Sequence, residues 1–492
     1  MLFHSFHFLI FFSIVVILYF LLPHRHRWIL LLAASYYFYM CWKPALILLI
    51  VFSTFCNYFL ALCIGAETRE KVRRRYLIWS LLINFGLLFV FKYTMFAYDS
   101  VIGVWNWLLN GKGTPSIGRQ WDIILPMGIS FYTFQAASYT VDVYKKKIKP
   151  IRHYGIFSLF ITFFPQLVAG PIERSENLLP QFFRRHYFQK ERALEGLKWM
   201  LLGYFKKVVI ADRVAVAVNT IYNAPTEYGG LSLVIATFLF TFQIYCDFSG
   251  YSDIAMGSAR VLGFDLMRNF HKPYFSKNIR EFWHRWHISL STWFMDYVYI
   301  PLGGNRHGKW KQYRNLLITF LVSGLWHGAN WTFIIWGGLH GIYQIVGIIT
   351  KKLRENWKKR LSIANTMLGS TISIGITFFL VAVGWIFFRA NTLQDALYIV
   401  SHLTEQISLW TDKQYLYETA TGMGVNLFEL KVMAMAIGVL WISEWISGQK
   451  TVFDYFEEKP YFIRLAFYAM TGLFVLTAGV YSNAGEFIYF QF

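Results

Sequence analysis

The sequence predicts an all-α polytopic membrane protein. Of its 492 residues, 56% are hydrophobic and only 15% are charged, a composition far outside the soluble globular range. The apolar runs are long and lack a strict alternation of apolar and polar residues, which favours helices over a transmembrane barrel. We therefore expect about ten to twelve membrane-spanning helices.

The candidate spans are apolar runs that are long enough, or nearly long enough, to cross the hydrocarbon core of a bilayer. They are residues 3–22, 28–42, 44–64, 77–97, 121–143, 196–218, 229–249, 313–327, 331–349, 364–388, 431–447 and 461–481. Several of these runs are short or interrupted, so the predicted number of full crossings is a range.

The basic residues concentrate in short loops between the apolar runs. These loops are HRHR at 24–27, REKVRRR at 69–75, KKKIKPIR at 145–152 and KKLRENWKKR at 351–360. Loops of this kind face the cytoplasm in multi-pass proteins, so placing all four there puts the N-terminus outside. The formal net charge of +20 therefore reflects membrane topology, and we expect membrane lipids rather than nucleic acid as the surroundings.

We expect a single integral membrane domain over residues 1–492, with N-terminal helices at 1–150, a catalytic core at 151–350 and C-terminal helices at 351–492. Two segments of that core differ from simple spans. Residues 155–171 carry a proline within an apolar run and predict a re-entrant or broken helix. Residues 260–314 are rich in Lys and Arg with interleaved aromatics, which predicts helices at or dipping into the cytoplasmic face.

His327, in the stretch SGLWHGANW, is the most informative single residue. It lies about 12 residues into an apolar run, which corresponds to a depth of roughly 18 Å in a helix. A titratable side chain at that depth is costly, so a function is the default expectation. The neighbouring Gly324 and Gly328 permit close backbone approach, and Trp326 and Trp331 are expected to supply a dry aromatic wall. A neutral imidazole there is a competent general base.

Two further histidines occur in the stretch EFWHRWHISLS. If it is helical, Glu281, His284 and His287 lie at i, i+3 and i+6, along one face. We expect His284 to be an interfacial side chain, whereas His287 continues into a polar run and remains a candidate for chemistry. The four cysteines show neither a disulfide pattern nor zinc spacing, and we expect no bound metal.

A second polar constellation is YCDFSGYSD at 245–253, near the end of a predicted span. Its carboxylates Asp247 and Asp253 could line a polar cavity, but helix capping or ion pairing with the basic segment is favoured. Lys206 and Lys207 interrupt another apolar run, and we expect them to snorkel to an interface. A role for them in binding an anionic donor is left open.

Several motifs together resemble the membrane-bound O-acyltransferase family, and within it the bacterial branch typified by the alginate O-acetyltransferase membrane subunit. The motifs are YCDFSGYSDIAMG at 245–257, the run from NFHKPYF to PLGGNR at 269–306, SGLWHGANWTFIIWGGLHG at 323–341, FFPQLVAGPIER at 163–174 and FIYFQF at 487–492. One departure is His284, which stands where the branch leads us to expect arginine.

The resemblance implies a ring of helices around a central funnel, an active-site histidine at His327 and a second functional histidine at His287. Side chains near the motifs are expected to contribute to substrate binding. They are Trp326, Asn330, Asp247, Ser249, Asp253, Arg285, Trp286 and Ser289.

The function implied by the resemblance is O-acyl transfer at the bacterial cytoplasmic membrane. An acetyl group is taken from a cytoplasmic thioester, acetyl-CoA or a carrier-protein thioester, without a bound cofactor. It is then passed across the membrane to O-acetylate an extracytoplasmic polysaccharide, directly or through an SGNH-type acetyltransferase partner. In this scheme His327 is the general base, and His287 positions the donor or stabilises the oxyanion.

Other functions remain open at the level of the sequence. D-alanyl transfer to teichoic acid is the sister activity of the same family. A polytopic glycan or lipid transporter would share the composition, although no internal repeat is visible. A membrane metalloenzyme would use Glu281, His284 and His287 as an ExxHxxH face, but it would need Glu-x-x-His partners on facing helices.

Overall fold

The structure is a computed structural model that describes residues 1–108, 124–362, 366–481 and 487–488, and all regular structure in these ranges is helical. The α-helices are α1 (Phe6–Leu21), α2 (His24–Met40), α3 (Ile47–Ala66), α4 (Glu70–Leu88), α5 (Thr94–Leu108), α6 (Ile129–Tyr144), α7 (Tyr154–Thr162), α8 (Ser175–Phe183), α9 (Lys190–Tyr204), α10 (Asp212–Tyr222), α11 (Gly230–Val261), α12 (Ile279–Arg285), α13 (Ile288–Phe294), α14 (Lys309–His327), α15 (Trp331–Ile349), α16 (Lys351–Arg360), α17 (Met367–Arg389), α18 (Leu393–His402), α19 (Lys413–Thr421), α20 (Leu427–Ile446), α21 (Val452–Glu457) and α22 (Tyr461–Ala478). The predicted all-α class is confirmed.

Six helical stretches of the described chain are long and apolar enough to cross a membrane. They are Pro44–Ala66, Glu70–Leu108, Gly230–Val261, Trp331–Ile349, Met367–Arg389 and Tyr461–Ala478. The helix Phe6–Leu21 is apolar but shorter. The chain is therefore a multi-pass membrane protein, while the predicted ten to twelve crossings and the ring around a funnel stay predictions.

Several predicted boundaries differ from the observed ones. The predicted span 229–249 is wrong at its C-terminal end, because α11 continues to Val261 and carries the motif 245–253 within the helix. The predicted span 77–97 is part of one helical rod, α4 to α5, joined by the π-helical segment Phe89–Tyr93. Residues 121–123 and 364–365 of two predicted spans, and 489–492 of the C-terminal motif, lie outside the described residues.

The chain before and after the segment 155–171 contacts neighbouring residues of α2. Before it, the His153 ring lies 4.8 Å from the Trp28 ring. After it, the carbonyl of His186 accepts a hydrogen bond from Arg27, the residue next to Trp28. Helix α7 ends at Thr162, and the following chain is irregular and buried. The predicted break in this helix is confirmed, and re-entry into the membrane stays a prediction.

Irregular backbone that is buried among apolar side chains needs hydrogen-bond partners, since neither water nor lipid supplies them there. The structure supplies side-chain hydroxyls from two other elements. The Phe164 N–H donates to Ser35 Oγ at 3.0 Å, and the Ile172 N–H donates to Ser289 Oγ at 3.0 Å. The second bond ties the chain directly after the segment 155–171 to the turn that follows His287.

Close packing of α9 against α11 depends on glycine. A Cβ on Gly203 would lie 2.6 Å from the Gly250 carbonyl oxygen, and a Cβ on Gly250 would lie 2.8 Å from the Gly203 oxygen. Small residues let transmembrane backbones approach in this way. The approach brings the π-helical segment Phe205–Ala211, which follows α9, against the middle of α11.

The buried apolar side chains form two clusters. One is built from α1, α2, α6, α7 and the segment after α7, together with part of α11 and α13. The other contains α10, α12, α17 and α20 with the N-terminal half of α11. Trp326 belongs to the first cluster and Phe333 and Trp336 to the second, so the α14–α15 connection lies where the two clusters meet.

The basic segment 260–314 folds mainly into short helices and turns, and its location at the cytoplasmic face stays a prediction. Helix α12 begins after Asn278, whose side chain accepts from the Glu281 N–H, and it ends at Arg285. The loop between α20 and α22 packs against this segment, because Arg268 pairs with Asp454 and Lys272 Nζ donates to the Gly448 carbonyl at 3.0 Å.

Candidate active site

His287 and His327 come together in the folded chain. Their ring centroids lie 6.4 Å apart with an angle of 65° between the ring planes. Both side chains are buried, with 0% and 3% of their surface exposed, respectively. The two histidines singled out in the sequence are therefore neighbours in the fold.

His287 sits in a left-handed turn between α12 and α13. Its φ of +42° is uncommon for a residue with a side chain, since that conformation brings Cβ close to the following carbonyl. The helical interpretation that placed Glu281, His284 and His287 on one face is wrong, because α12 ends at Arg285. The turn aims the buried His287 ring inward and leaves His284 exposed.

Asn269 holds this turn, and sequence reasoning missed it. Its backbone carbonyl accepts from the Ile288 N–H at 2.9 Å. Its side-chain oxygen accepts from the N–H of Ser289 at 3.2 Å and from the Ser289 hydroxyl at 2.6 Å. The buried Asn269 thus ties down both residues that follow His287 and fixes the ring's direction. Asn269 begins the motif at 269–306, and nothing in the sequence around it indicated that it would hold the turn after His287.

His327 is the last residue of α14, and α15 fixes the position of that helix end. A Cβ on Gly324 would lie 2.3 Å from the Phe333 carbonyl oxygen, and a Cβ on Gly337 would lie 2.2 Å from the Phe320 oxygen. The glycines therefore allow α14 and α15 to cross in close contact, as predicted for Gly324. Gly328 then adopts an extended conformation with φ −157°, which ends the helix.

An aromatic wall surrounds the two rings. The His327 ring lies 4.9 Å from the Trp326 ring, 4.9 Å from the Trp336 ring and 5.4 Å from the Phe388 ring. The His287 ring lies 4.6 Å from the Phe248 ring. Burial among rings excludes water and strengthens polar interactions with a reacting group.

Trp331 is not part of this wall, contrary to the sequence-based expectation. It is 53% exposed and its ring lies 5.6 Å from Phe96 on α5. It lines a cavity of about 710 Å³ between α5 and the connection from α14 to α15. Polar groups of Lys92, Asp99 and Asn330 also line this cavity.

Asp247 and Asp253 form buried ion pairs with the two lysines of the segment after α9. Lys207 Nζ lies 2.7 Å from carboxylate oxygens of both Asp212 and Asp247, and Lys206 Nζ lies 2.7 Å from Asp253. The expected snorkelling to an interface is wrong for Lys207, which is only 2% exposed, whereas Lys206 is partly exposed. Ion pairing of the aspartates was expected, but with the basic segment 260–314.

Asp247 also holds the end of the described chain. Its second carboxylate oxygen accepts from the Ile488 N–H at 2.7 Å. The preceding Phe487 packs on Tyr251 and Phe248, with ring centroids 4.8 and 5.9 Å away. Phe248 also contacts His287. The aromatic side chains of Phe487 and Phe248 therefore lie between the chain segment held by Asp247 and the His287 ring.

The remaining candidate binding residues contact protein groups. Arg285 pairs with Glu281 at 2.7 Å, and the Asn330 side chain caps the start of α15 by accepting from the Thr332 N–H. Trp286 packs on Trp385 with ring centroids 4.9 Å apart. Ser249 is buried on α11. Contact with a substrate stays a prediction for these residues, as it does for Trp326 and Ser289.

A metal centre finds no support in the described part of the chain. No group of three or more His, Cys, Asp and Glu side chains there is placed to hold a metal ion. The ExxHxxH face fails for a geometric reason, because exposed His284 and buried His287 diverge at the turn.

Comparisons with known proteins agree with the resemblance. The family model described as MBOAT, membrane-bound O-acyltransferase family, matches residues 75–385, a range that contains both histidines. The probable alginate O-acetylase of Pseudomonas aeruginosa is 38% identical over 399 residues, which cover 81% of this chain and 73% of that protein. The peptidoglycan O-acetyltransferase of Helicobacter pylori is 36% identical, with 74% of this chain and 71% of that protein covered. The teichoic acid D-alanyltransferase of Bacillus subtilis is 29% identical, with 55% and 70% covered.

Proposed function

Because the chain belongs to the membrane-bound O-acyltransferase family and is an O-acyltransferase, we propose that it O-acetylates an extracytoplasmic polysaccharide with a cytoplasmic thioester as the acetyl donor. The bacterial cytoplasmic membrane separates the two substrates in this proposal. The acetyl group reaches the glycan directly or through an extracytoplasmic SGNH-type acetyltransferase partner.

One observation carries the proposal: two buried histidine rings lie 6.4 Å apart inside an aromatic wall. Transfer of an acyl group needs a base for the acceptor hydroxyl and a group that steadies the developing oxyanion. Two imidazoles at this separation supply both without a metal or a nucleophilic side chain.

The chemistry balances with these two residues. His327 removes the proton from the acceptor hydroxyl, whose oxygen forms a bond to the thioester carbonyl carbon. The oxyanion of the resulting intermediate lies toward His287, and the carbon–sulfur bond then breaks. The thiolate leaves with the proton returned from His327, so the products are the O-acetyl ester and the free thiol.

In this scheme the donor approaches along the basic segment 260–314, and the cations there that have no carboxylate partner are the candidates for binding it. Arg260, Arg268 and Arg285 are already paired with carboxylates. Exposed cations without a carboxylate partner in the described chain remain around the turn before α14 and at the start of α12. They are Lys277, Arg280, Arg306, Lys309, Lys311 and Arg314. Such a patch favours the phosphates of coenzyme A.

The acceptor side of the proposal draws on the names of the relatives. Two of them act on alginate and on peptidoglycan by their names, which favours a polysaccharide acceptor. D-alanyl transfer to teichoic acid is the second candidate, supported by the more distant relative from Bacillus subtilis.

Reconstitution of the purified protein in proteoliposomes tests the proposal. Labelled acetyl-CoA, or in a parallel reaction a labelled D-alanyl carrier thioester, is supplied on one side. Alginate oligosaccharide, peptidoglycan fragments or lipoteichoic acid is supplied on the other, with and without an extracytoplasmic fraction. We expect label on a polysaccharide hydroxyl, and at least about a hundredfold loss for His327→Ala at normal protein abundance. Wild-type transfer by His327→Ala, or labelling only from a D-alanyl carrier thioester, would overturn it.

A further inference from the structure

The C-terminal end of α14 is held by two adjacent side chains from a distant helix. Lys92 Nζ donates to the carbonyl oxygens of Trp326 and His327 at 2.8 and 2.9 Å. The Tyr93 hydroxyl donates to the carbonyl of Leu325 at 2.8 Å. The last three carbonyls of the helix that presents His327 therefore all have donors from the rod formed by α4 and α5.

These contacts satisfy backbone carbonyl groups that α14 itself cannot satisfy. The last carbonyls of any helix lack partners within it, and lipid supplies none. Gly328 turns the backbone away directly after His327, so the helix cannot continue to satisfy them. The position of the His327 ring thus depends on where Lys92 and Tyr93 hold these carbonyls.

The sequence of the rod is suited to this task. Lys92 and Tyr93 belong to the π-helical segment Phe89–Tyr93, where an extra residue per turn changes the direction of successive side chains. Two neighbouring residues can then both reach the end of α14. Lys92 also borders the 710 Å³ cavity, so one amino group lies between the helix end and the open space beside it.

From this geometry we infer that Lys92 is a positioning residue for acyl transfer: it fixes the depth and direction of the His327 ring through the backbone of α14. The inference rests on the proposed function of His327. Lys92 itself does not touch the reacting atoms, and its effect is on the rate of the chemical step rather than on donor binding.

The test compares Lys92→Met with Lys92→Arg in the reconstituted acetyl-transfer assay. We expect Lys92→Met to lower kcat by roughly 10- to 100-fold while KM for acetyl-CoA changes less than about threefold, since a small displacement of a catalytic group is enough for such a loss. Lys92→Arg keeps the donors and is expected to stay within about fivefold of wild type. Tyr93→Phe removes one donor and should lower kcat by about threefold at normal abundance, which keeps the inference testable if Lys92→Met accumulates poorly.

Arg73 provides a matched control on the same rod. It is buried and donates to the carbonyls of Ile64 and Tyr144, near the ends of α3 and α6, at the opposite end of α4. We expect Arg73→Met to lower the unfolding temperature but to leave kcat per folded molecule unchanged. A double variant, Lys92→Met with His327→Ala, should lose no more activity than His327→Ala alone, because both changes act on one ring.

The outcomes separate this inference from the proposed function. If wild-type transfer depends on His327 but Lys92→Met and Tyr93→Phe keep wild-type kcat, only the positioning role is overturned. An equal loss of kcat in Arg73→Met, or an additional loss in the double variant, would also overturn it by indicating a general structural role. If the wild type transfers no acyl group, the proposed function fails.

Discussion

The rings of His287 and His327 lie 6.4 Å apart although the two residues enter the site in different ways. His287 is held in a left-handed turn, and His327 is the last residue of a helix. Each position is fixed by contacts from elsewhere in the chain, Asn269 for the turn and α15 with Lys92 for the helix end. The following predictions probe these supports.

Asn269→Ala removes the acceptor for Ser289 and should release the turn after His287. We expect kcat to fall by at least about tenfold, because the His287 ring loses its fixed direction. Loss of one buried acceptor also costs about 1–3 kcal/mol of stability. Ser252→Ala is the control, since Ser252 Oγ receives only a long bond of 3.4 Å from Asn269. Equal kcat in Asn269→Ala and wild type would contradict the prediction.

The left-handed conformation of His287 predicts an order of stability among substitutions. His287→Gly and His287→Ala both remove the ring and should both abolish transfer. Glycine adopts the positive φ without strain, so His287→Gly should be more stable than His287→Ala by about 1 kcal/mol. Thermal unfolding of the two detergent-purified variants measures this difference, and the reverse order would argue against strain at this turn.

Gly337→Ala should separate α14 from α15, since the added Cβ would lie 2.2 Å from the Phe320 carbonyl oxygen. The shift moves His327, and we expect both transfer rate and unfolding temperature to fall. Gly375→Ala on α17 is the matched control, because no atom lies within 4 Å of its added Cβ. There we expect unchanged activity and a stability gain of up to about 1 kcal/mol. Similar behaviour of both variants would contradict the packing argument.

Lys207→Met removes the cation that Asp212 and Asp247 share in the interior. We expect destabilisation of about 3–5 kcal/mol and low membrane abundance, since buried carboxylates are left without it. Adding Asp212→Asn and Asp247→Asn should restore abundance at least in part. The exposed Lys351, 3.9 Å from Glu355, is the control, and Lys351→Met should have little effect. If the two Asp→Asn changes did not raise the membrane abundance, unpaired buried charge would not be the cause of the destabilisation.

Much of the fold was determined by the sequence alone. Long apolar runs with few charges and no strict alternation favour membrane helices over a barrel, so the all-α class, six of the twelve candidate spans and the break in the helix at 155–171 could be predicted. The depth of His327 marked it for function, and the motifs around His287 indicated the family. These inferences depend on local composition and periodicity, which one chain displays without knowledge of its contacts.

Only the tertiary structure decided how the site is supported. Lys92 donates a hydrogen bond to the backbone of His327, 235 positions later in the sequence, and Asn269 accepts one from Ser289, 20 positions later. Lys207 forms an ion pair with Asp247 rather than reaching an interface. A left-handed turn instead of a continuous helix separated His284 from His287. The physical reason is common to all four: in an interior without water, polar groups must find partners wherever the packing of helices places them, and spacing along the chain does not specify that packing.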